Sequence, residues 1–316
     1  MTILSSIAIE ASSFCQLRCP SCPTTSGHTK AVIGGGFLKP EDFCALLDGN
    51  PSVREVELSN YGEMFLNPAL PEILAAAFSR GVAVTAANGA NLNSVRPGAL
   101  EAIVRYRLRV LNCSIDGATE ETYRQYRQRG SLSRVIANIH EINRWKAKLN
   151  SPHPSLVWQF VIFGHNEREI AAARQMAREL SMSFRTKLSW DPRFSPVRDE
   201  DLVRKEGGVG AATRAEYKEM TGADLMEGTC HQLWGRPQIN WDGKLLGCCR
   251  NFWGDFGGNA FSDGLSACLN GEKMHYAREM LRGRQPPRDD IPCTTCEIYQ
   301  HNRAHSRWLG LDDAAG

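Results

Sequence analysis

The chain lacks what would place it in a membrane, outside the cell or on a nucleic acid. No apolar run approaches the roughly 18 residues of a spanning helix, and residues 1–12 have neither the basic start nor the long apolar centre of a secretory signal. A cytoplasmic protein without a membrane partner is expected. Surplus charge is also missing: 37 Lys and Arg face 35 Asp and Glu, a formal net charge of +2. The basic excess of a nucleic-acid binder is therefore absent, and no nucleic-acid partner is expected. Neither an internal repeat nor a low-complexity tract occurs, which excludes fibrous and largely disordered chains. With 316 residues, 42% hydrophobic, the composition suits one large α/β domain and a smaller unit.

Cysteine, by contrast, is abundant, with 11 copies. In a reducing compartment such clustering points to metal or redox chemistry rather than to disulfides. Cys15, Cys19 and Cys22 form C-x3-C-x2-C in FCQLRCPSCP. Cys230, Cys248, Cys249, Cys293 and Cys296 crowd the last third, while Cys44, Cys113 and Cys268 stand alone.

The hydrophobic pattern alternates between strands and helices. Strands are predicted over 6–11, 53–58, 82–87, 109–115, 155–163 and 183–190, with helical segments between them. Helices separating every pair of strands demand a parallel sheet. Six such units are too few for a closed eight-fold barrel. They fit an open, partial (β/α)6 TIM-like barrel whose functional loops follow the C-terminal ends of the strands. The expected organisation is a barrel over 1–190, a linker with one helix over 191–229, and a small Cys-rich domain over 230–316. That last domain is poor in long helices, so metal–ligand bonds would replace part of its core.

Three thiolates in the loop after the first strand can hold three corners of a [4Fe-4S] cluster, leaving the fourth iron open to chelate the amino and carboxylate groups of a methionine unit. A zinc knuckle completed by His28, or three buried thiols, are the competing readings. Further segments accompany the triad: NYGEMFLNP with Gly62 and Glu63, AANGANLN with Asn88, and LNCSIDGATEETYRQYRQRG with Ser114, Arg127 and Arg129. Together they resemble the radical S-adenosylmethionine (SAM) enzymes, in which one electron splits SAM into methionine and a 5′-deoxyadenosyl radical.

The resemblance implies that Gly62 and Glu63 bind the SAM amino group, with Tyr61 standing where the commoner motif has a first glycine. It implies that Ser114 and either Arg127 or Arg129 hold the carboxylate, the two arginines not being separable. Asn88, with Thr85 next in line, would lie near the ribose. Read by themselves, Glu63 is a loop charge and Asn88-Gly89 a turn.

The arrangement Cys230-x12-Gly243-x4-Cys248, followed by Cys293-x2-Cys296, resembles the SPASM auxiliary-cluster domain without its later cysteines, the shortened form called twitch. This implies a second, auxiliary [4Fe-4S] cluster on Cys230, Cys248, Cys293 and Cys296; a four-cysteine zinc site fits the same spacing. Of the remaining thiols, Cys44 and Cys113 read as core residues, and Cys268 is unassigned.

Cys249 adjoins a ligand in a short hairpin expected to turn at Trp241-Asp242-Gly243-Lys244, and strand alternation would turn the two side chains opposite ways, one to iron and one to substrate. A thiol there can return a hydrogen atom to a substrate radical and invert a stereocentre. The length, the single auxiliary cluster and the Cys-Cys pair resemble the family's aminoglycoside epimerases of antibiotic biosynthesis. That implies an aminoglycoside substrate, Cys249 as the catalytic donor, and a flavodoxin or ferredoxin as electron donor. The alternatives are a dehydrogenase of an amino-sugar or aminocyclitol alcohol, a SPASM-type peptide modifier, and a metal protein that only binds RNA or a partner.

Overall fold

The computed structural model describes residues 4–310. The outermost residues of the first and last expected domains, 1–3 and 311–316, lie outside the described residues. Eight strands form one sheet: β1 Ser6–Ile9, β2 Glu55–Glu57, β3 Ala83–Ala90, β4 Val110–Ser114, β5 Ser155–Ile162, β6 Ser183–Leu188, β7 Gln238–Ile239 and β8 Leu245–Gly247. Their order is β6-β5-β4-β3-β2-β1-β7-β8. From β1 to β6 every pairing is parallel, as crossover helices require. The helices include Pro40–Gly49, Leu70–Ser79, Ala99–Arg105, Leu132–Lys148 and Ile170–Glu179, one in each successive connection.

Side-chain parity divides the sheet into two faces. Ile7, Ile9, Val56, Leu58, Val84, Ala86, Leu111, Cys113, Trp158 and Phe160 are buried in one continuous apolar core. Trp158 satisfies its indole N–H on the Ile115 carbonyl at 2.8 Å, so its whole ring can be buried there. Truncating such a side chain to alanine costs about 3–5 kcal/mol. The opposite parity carries Glu10, Glu57, Thr85, Asn112, Gln159 and Arg185, and neighbouring strands bridge across it. Thr85 donates to Glu57 at 2.6 Å, and Arg185 donates to Gln159 at 2.9 Å. The (β/α)6 expectation holds on both counts, strand order and crossover.

Three expectations need correction. First, the sheet does not stop at β6 and β1: β7 pairs in parallel with β1 and antiparallel with β8. The turn at Trp241–Lys244 was expected as a short hairpin, and it is there; what the sequence did not show is that this hairpin joins the edge of β1, because strands of two and three residues are too short to show a period. Second, residues 191–229 hold two regular helices, Glu200–Glu206 and Arg214–Thr221, where one was expected. Each starts on a side-chain cap, Asp199 accepting from Leu202 N at 3.1 Å and Thr213 from Glu216 N at 3.1 Å. Arg204 and Glu216 join the two at 2.7 Å. Third, Asn88-Gly89 is no turn but lies within β3, where Gly89 has φ 131° and a Cβ would come within 2.5 Å of the Ser114 hydroxyl. Among the described residues no helix is long and apolar enough to cross a membrane.

Candidate cysteine centres and barrel mouth

β1 feeds directly into the first cysteine loop. The loop is tied down by Ser13 N to Gly36 O at 3.1 Å and by Cys22 N to Cys19 O at 3.1 Å. Cys19 is buried against Leu17, Tyr126, Val161 and Phe163, with Cys15 and Cys22 beside it. Two polar groups reach the sulfurs: Arg127 Nη1 lies 3.8 Å from Cys19 Sγ, and Asn91 Nδ2 lies 3.6 Å from Cys15 Sγ. Burial, with Glu63 next, pushes the Cys15 thiol up to about 12. Burial likewise lifts Cys19 to about 11, against the pull of Arg127. Such thiols keep their protons at neutral pH unless a cation takes the place of the proton.

The second group comes from four segments. Cys230 lies in the turn Glu227–His231, Cys248 just after β8, Cys293 in the turn Pro292–Thr295, and Cys296 caps the helix Glu297–Ala304. Burial pushes the Cys293 thiol up, and negative charge at Cys248, Cys230 and Cys296 adds to it, which puts those three within electrostatic reach of Cys293. Cys248 rises to about 12 in the same way, burial first. Asn251 donates to Leu246 O at 2.7 Å, and the Trp253 indole donates to Pro292 O at 2.9 Å, which locks the β8 segment to the Cys293 turn. Among the described residues no three His, Cys, Asp or Glu side chains close on a point that would hold a single metal ion.

The loop after β2 packs on the first cysteine loop. Tyr61 and Gly62 donate their N–H groups to the buried Glu10 carboxylate at 2.9 and 3.0 Å. A Cβ on Gly62 would collide with the Ser12 carbonyl, so only glycine fits. Glu63 is buried and accepts from Asn91 N at 2.5 Å and Phe65 N at 3.2 Å. Burial lifts its carboxyl to about 7, and those two N–H groups oppose the rise. Glu63 thus ties the β2 loop to the end of β3, a structural task besides any ligand contact. Asn88 donates to Ser59 O at 2.7 Å. Ser114 ends β4 beside Gly89.

The two arginines that the sequence left level are separated by the structure. Arg127 pairs with Asp116 at 2.6 Å and reaches Cys19, whereas Arg129 is exposed. Cys249 also departs from expectation. It sits in a turn past the end of β8, not on a strand, so strand alternation does not set its direction. Its N–H donates to Gln232 Oε1 at 2.8 Å, and its carbonyl accepts from Asn60 Nδ2 at 3.1 Å. These bonds bring residue 249 against the loop that carries Gly62 and Glu63. Burial raises its thiol against the pull of Gln232, Arg236 and Arg250. Cys113 and Cys268 are core residues, and Cys44 is half-buried on the helix Pro40–Gly49.

Glu10, Glu57, Asn91, Asp116, Gln159, Arg185 and Lys187 were missed in the sequence reading. Lys187 is half-buried on β6, its amine pushed down to about 8 by burial and then by Arg185 and Arg214. A period-two reading of the strands flags most of these, because a polar residue at every other position of an otherwise apolar strand marks the inner face.

No protein-family model matches the sequence, and no curated protein matches it. Solved structures do. SuiB of Streptococcus suis, solved with S-adenosylmethionine bound, has a TM-score of 0.66 at 13% identity over 100% of this chain and 78% of its own. SuiB bound to its precursor peptide SuiA gives 0.63 at 12% identity, over 95% and 71%. BtrN in complex with AdoMet and 2-DOIA gives 0.53 at 14% identity, over 93% of each chain. The chain has the radical SAM fold.

Proposed function

We propose that this chain is a radical SAM epimerase that inverts one sugar carbon of an aminoglycoside, in the manner of a neomycin C to neomycin B conversion, with Cys249 as hydrogen-atom donor. Cys15, Cys19 and Cys22 would hold the SAM-binding [4Fe-4S] cluster, and Cys230, Cys248, Cys293 and Cys296 the auxiliary one. Arg236 and Arg250, which act on the Cys249 thiol, suit the net negative charge of a thiolate-ligated cluster. The observation that carries the epimerase reading is the place of Cys249: a thiol beyond the ligand count, tied by Asn60 to the loop of the SAM motif.

When bound, the first cluster and SAM supply a 5′-deoxyadenosyl radical that takes a hydrogen atom from carbon. The chain's residues decide the fate of the carbon left behind. Gly62, Glu63, Ser114 and Arg127 would seat the methionine end of SAM, Arg127 offering a fixed guanidinium to the carboxylate. The half-buried Cys249 keeps its S–H, because its partly desolvated surroundings disfavour the thiolate. Its S–H bond breaks as a C–H bond forms on the face opposite the one that lost hydrogen. An S–H bond is weaker than a C–H bond, so the transfer runs downhill. The sulfur radical that results requires one electron, from a flavodoxin- or ferredoxin-type donor, and one proton.

A second reading, oxidation of an amino-sugar or aminocyclitol alcohol, draws support from the likeness to BtrN over 93% of each chain. Anaerobic reconstitution with neomycin C in heavy water separates the two. Inversion by an exchangeable thiol places deuterium at the new centre, whereas oxidation leaves a carbonyl without label. A Cys249→Ala variant is expected to form 5′-deoxyadenosine without inverted product. Unchanged inversion by that variant would sink the epimerase mechanism.

A further inference from the structure

Cys249 lies past the last residue of β8, in a turn where no sheet ladder fixes it. Both of its main-chain polar groups nevertheless find partners, and each partner is a side chain from a distant segment. Gln232, two residues beyond Cys230, accepts from its N–H at 2.8 Å. Asn60, immediately before Tyr61 and Gly62, donates to its carbonyl at 3.1 Å. One contact ties the turn to the auxiliary cysteines and the other to the loop packed on the first cysteine triad. The second tie is reinforced, because the Tyr61 ring meets Phe252 edge-on with centroids 6.0 Å apart.

Tyr61 stands where the commoner motif has glycine, so this strap depends on a residue outside that motif. Its hydroxyl is inaccessible to solvent, with Asn60 beside it.

We infer that Asn60 and Gln232 are positioning residues for the hydrogen-atom donor: their amides clamp the Cys249 main chain between the two cysteine centres and so fix the thiol relative to the SAM loop. The inference rests on Cys249 being the donor. Hydrogen-atom transfer needs close, aligned atoms, and a displacement of about 1 Å can cost on the order of a hundredfold in rate. A clamp on the main chain sets that distance without touching substrate. It also makes the distance depend on the same loop that seats SAM.

The test uses the anaerobically reconstituted full chain with neomycin C in heavy water, and Asn60→Ala, Gln232→Leu and Gln232→Glu variants. Glutamate at 232 keeps an oxygen acceptor for the Cys249 N–H and serves as the conservative rescue. The readout is 5′-deoxyadenosine formed per inverted product, with iron content measured on the same samples. The Ala and Leu variants should raise that ratio by about tenfold, while Gln232→Glu stays near the parent. In the resting holoprotein, where ligand thiols are held by iron, alkylation of Cys249 by iodoacetamide, mapped by mass spectrometry, should quicken severalfold in the first two variants. An unchanged ratio at full iron content overturns the clamp. A ratio that rises only as auxiliary iron is lost overturns it too, since both residues would then serve the cluster. If Cys249→Ala still inverts, the donor reading falls and the clamp with it; if Cys249→Ala is inert while both clamp variants stay coupled, only the clamp falls.

Discussion

Arg127 and Arg129 stand two residues apart on the same segment, yet their surroundings differ completely. Asp116 has no exposed surface and pairs with Arg127 at 2.6 Å, while Arg129 is exposed with φ 66°. Removing one partner of a buried pair leaves an uncompensated charge. Arg127→Gln should therefore destabilise the fold by about 3–5 kcal/mol in urea unfolding, and weaken SAM binding measured by calorimetry. Arg129→Gln should stay within about 0.5 kcal/mol of the parent and bind SAM as before.

Lys187 gives a pH signature at the same scale. Unfolded, its amine takes a proton below its ordinary value of 10.5; folded, only below about 8. Between those values the unfolded chain binds more protons, so this residue's contribution to stability rises with pH across that window and is at its most unfavourable below it. Lys187→Met removes the burden. The gain in melting temperature of the variant over the parent should be larger at pH 7.5 than at pH 10; a gain independent of pH would show that the lysine is not held this way.

At the scale of the element, the β7–β8 hairpin decides where the auxiliary centre sits, because it pairs with β1 on one side and leads into Cys248 on the other. Gly247 has φ 81°, and a Cβ there would strike the Phe256 ring. Gly247→Ala is strained on both counts. It should lower the iron bound per chain by about half, the share of one of two four-iron centres, while the C-x3-C-x2-C loop still loads. Iron analysis of this variant against Cys15→Ala distinguishes loss of one centre from loss of the other.

Legibility varied sharply between elements. The β1 loop was readable because its three thiols, Cys15, Cys19 and Cys22, follow one another within a single local turn of chain. The β7–β8 turn at Trp241–Lys244 was readable too, but the pairing of that hairpin with the edge of β1 was not, since strands of two and three residues carry no period.

At the scale of the whole molecule, the second group of cysteines joins segments from Cys230 to Cys296 that share few long helices. The turn bearing Cys293 meets the helix Glu272–Leu281 through Thr294, whose hydroxyl donates to the Met280 sulfur at 3.6 Å, and it leads directly into the helix Glu297–Ala304. If metal bonds cross-link these turns, removing iron with a strong chelator should open residues 230–310 to limited proteolysis while 4–190 stays protected by its apolar core. Equal protection with and without iron would count against a structural role for the centre.

The sequence by itself determined the local chemistry: the triad spacing, the second set of four cysteines, the spare thiol at Cys249 and the alternation of strand and helix. These depend on neighbours a few residues apart or on a repeating period, and both are written along the chain. Only the tertiary structure decided which arginine faces Cys19, which inner-face residues surround the barrel mouth, and that Asn60 and Gln232 meet at Cys249. Each of those rests on single contacts between segments up to 189 residues apart, and a lone long-range hydrogen bond imposes no pattern on the residues around it.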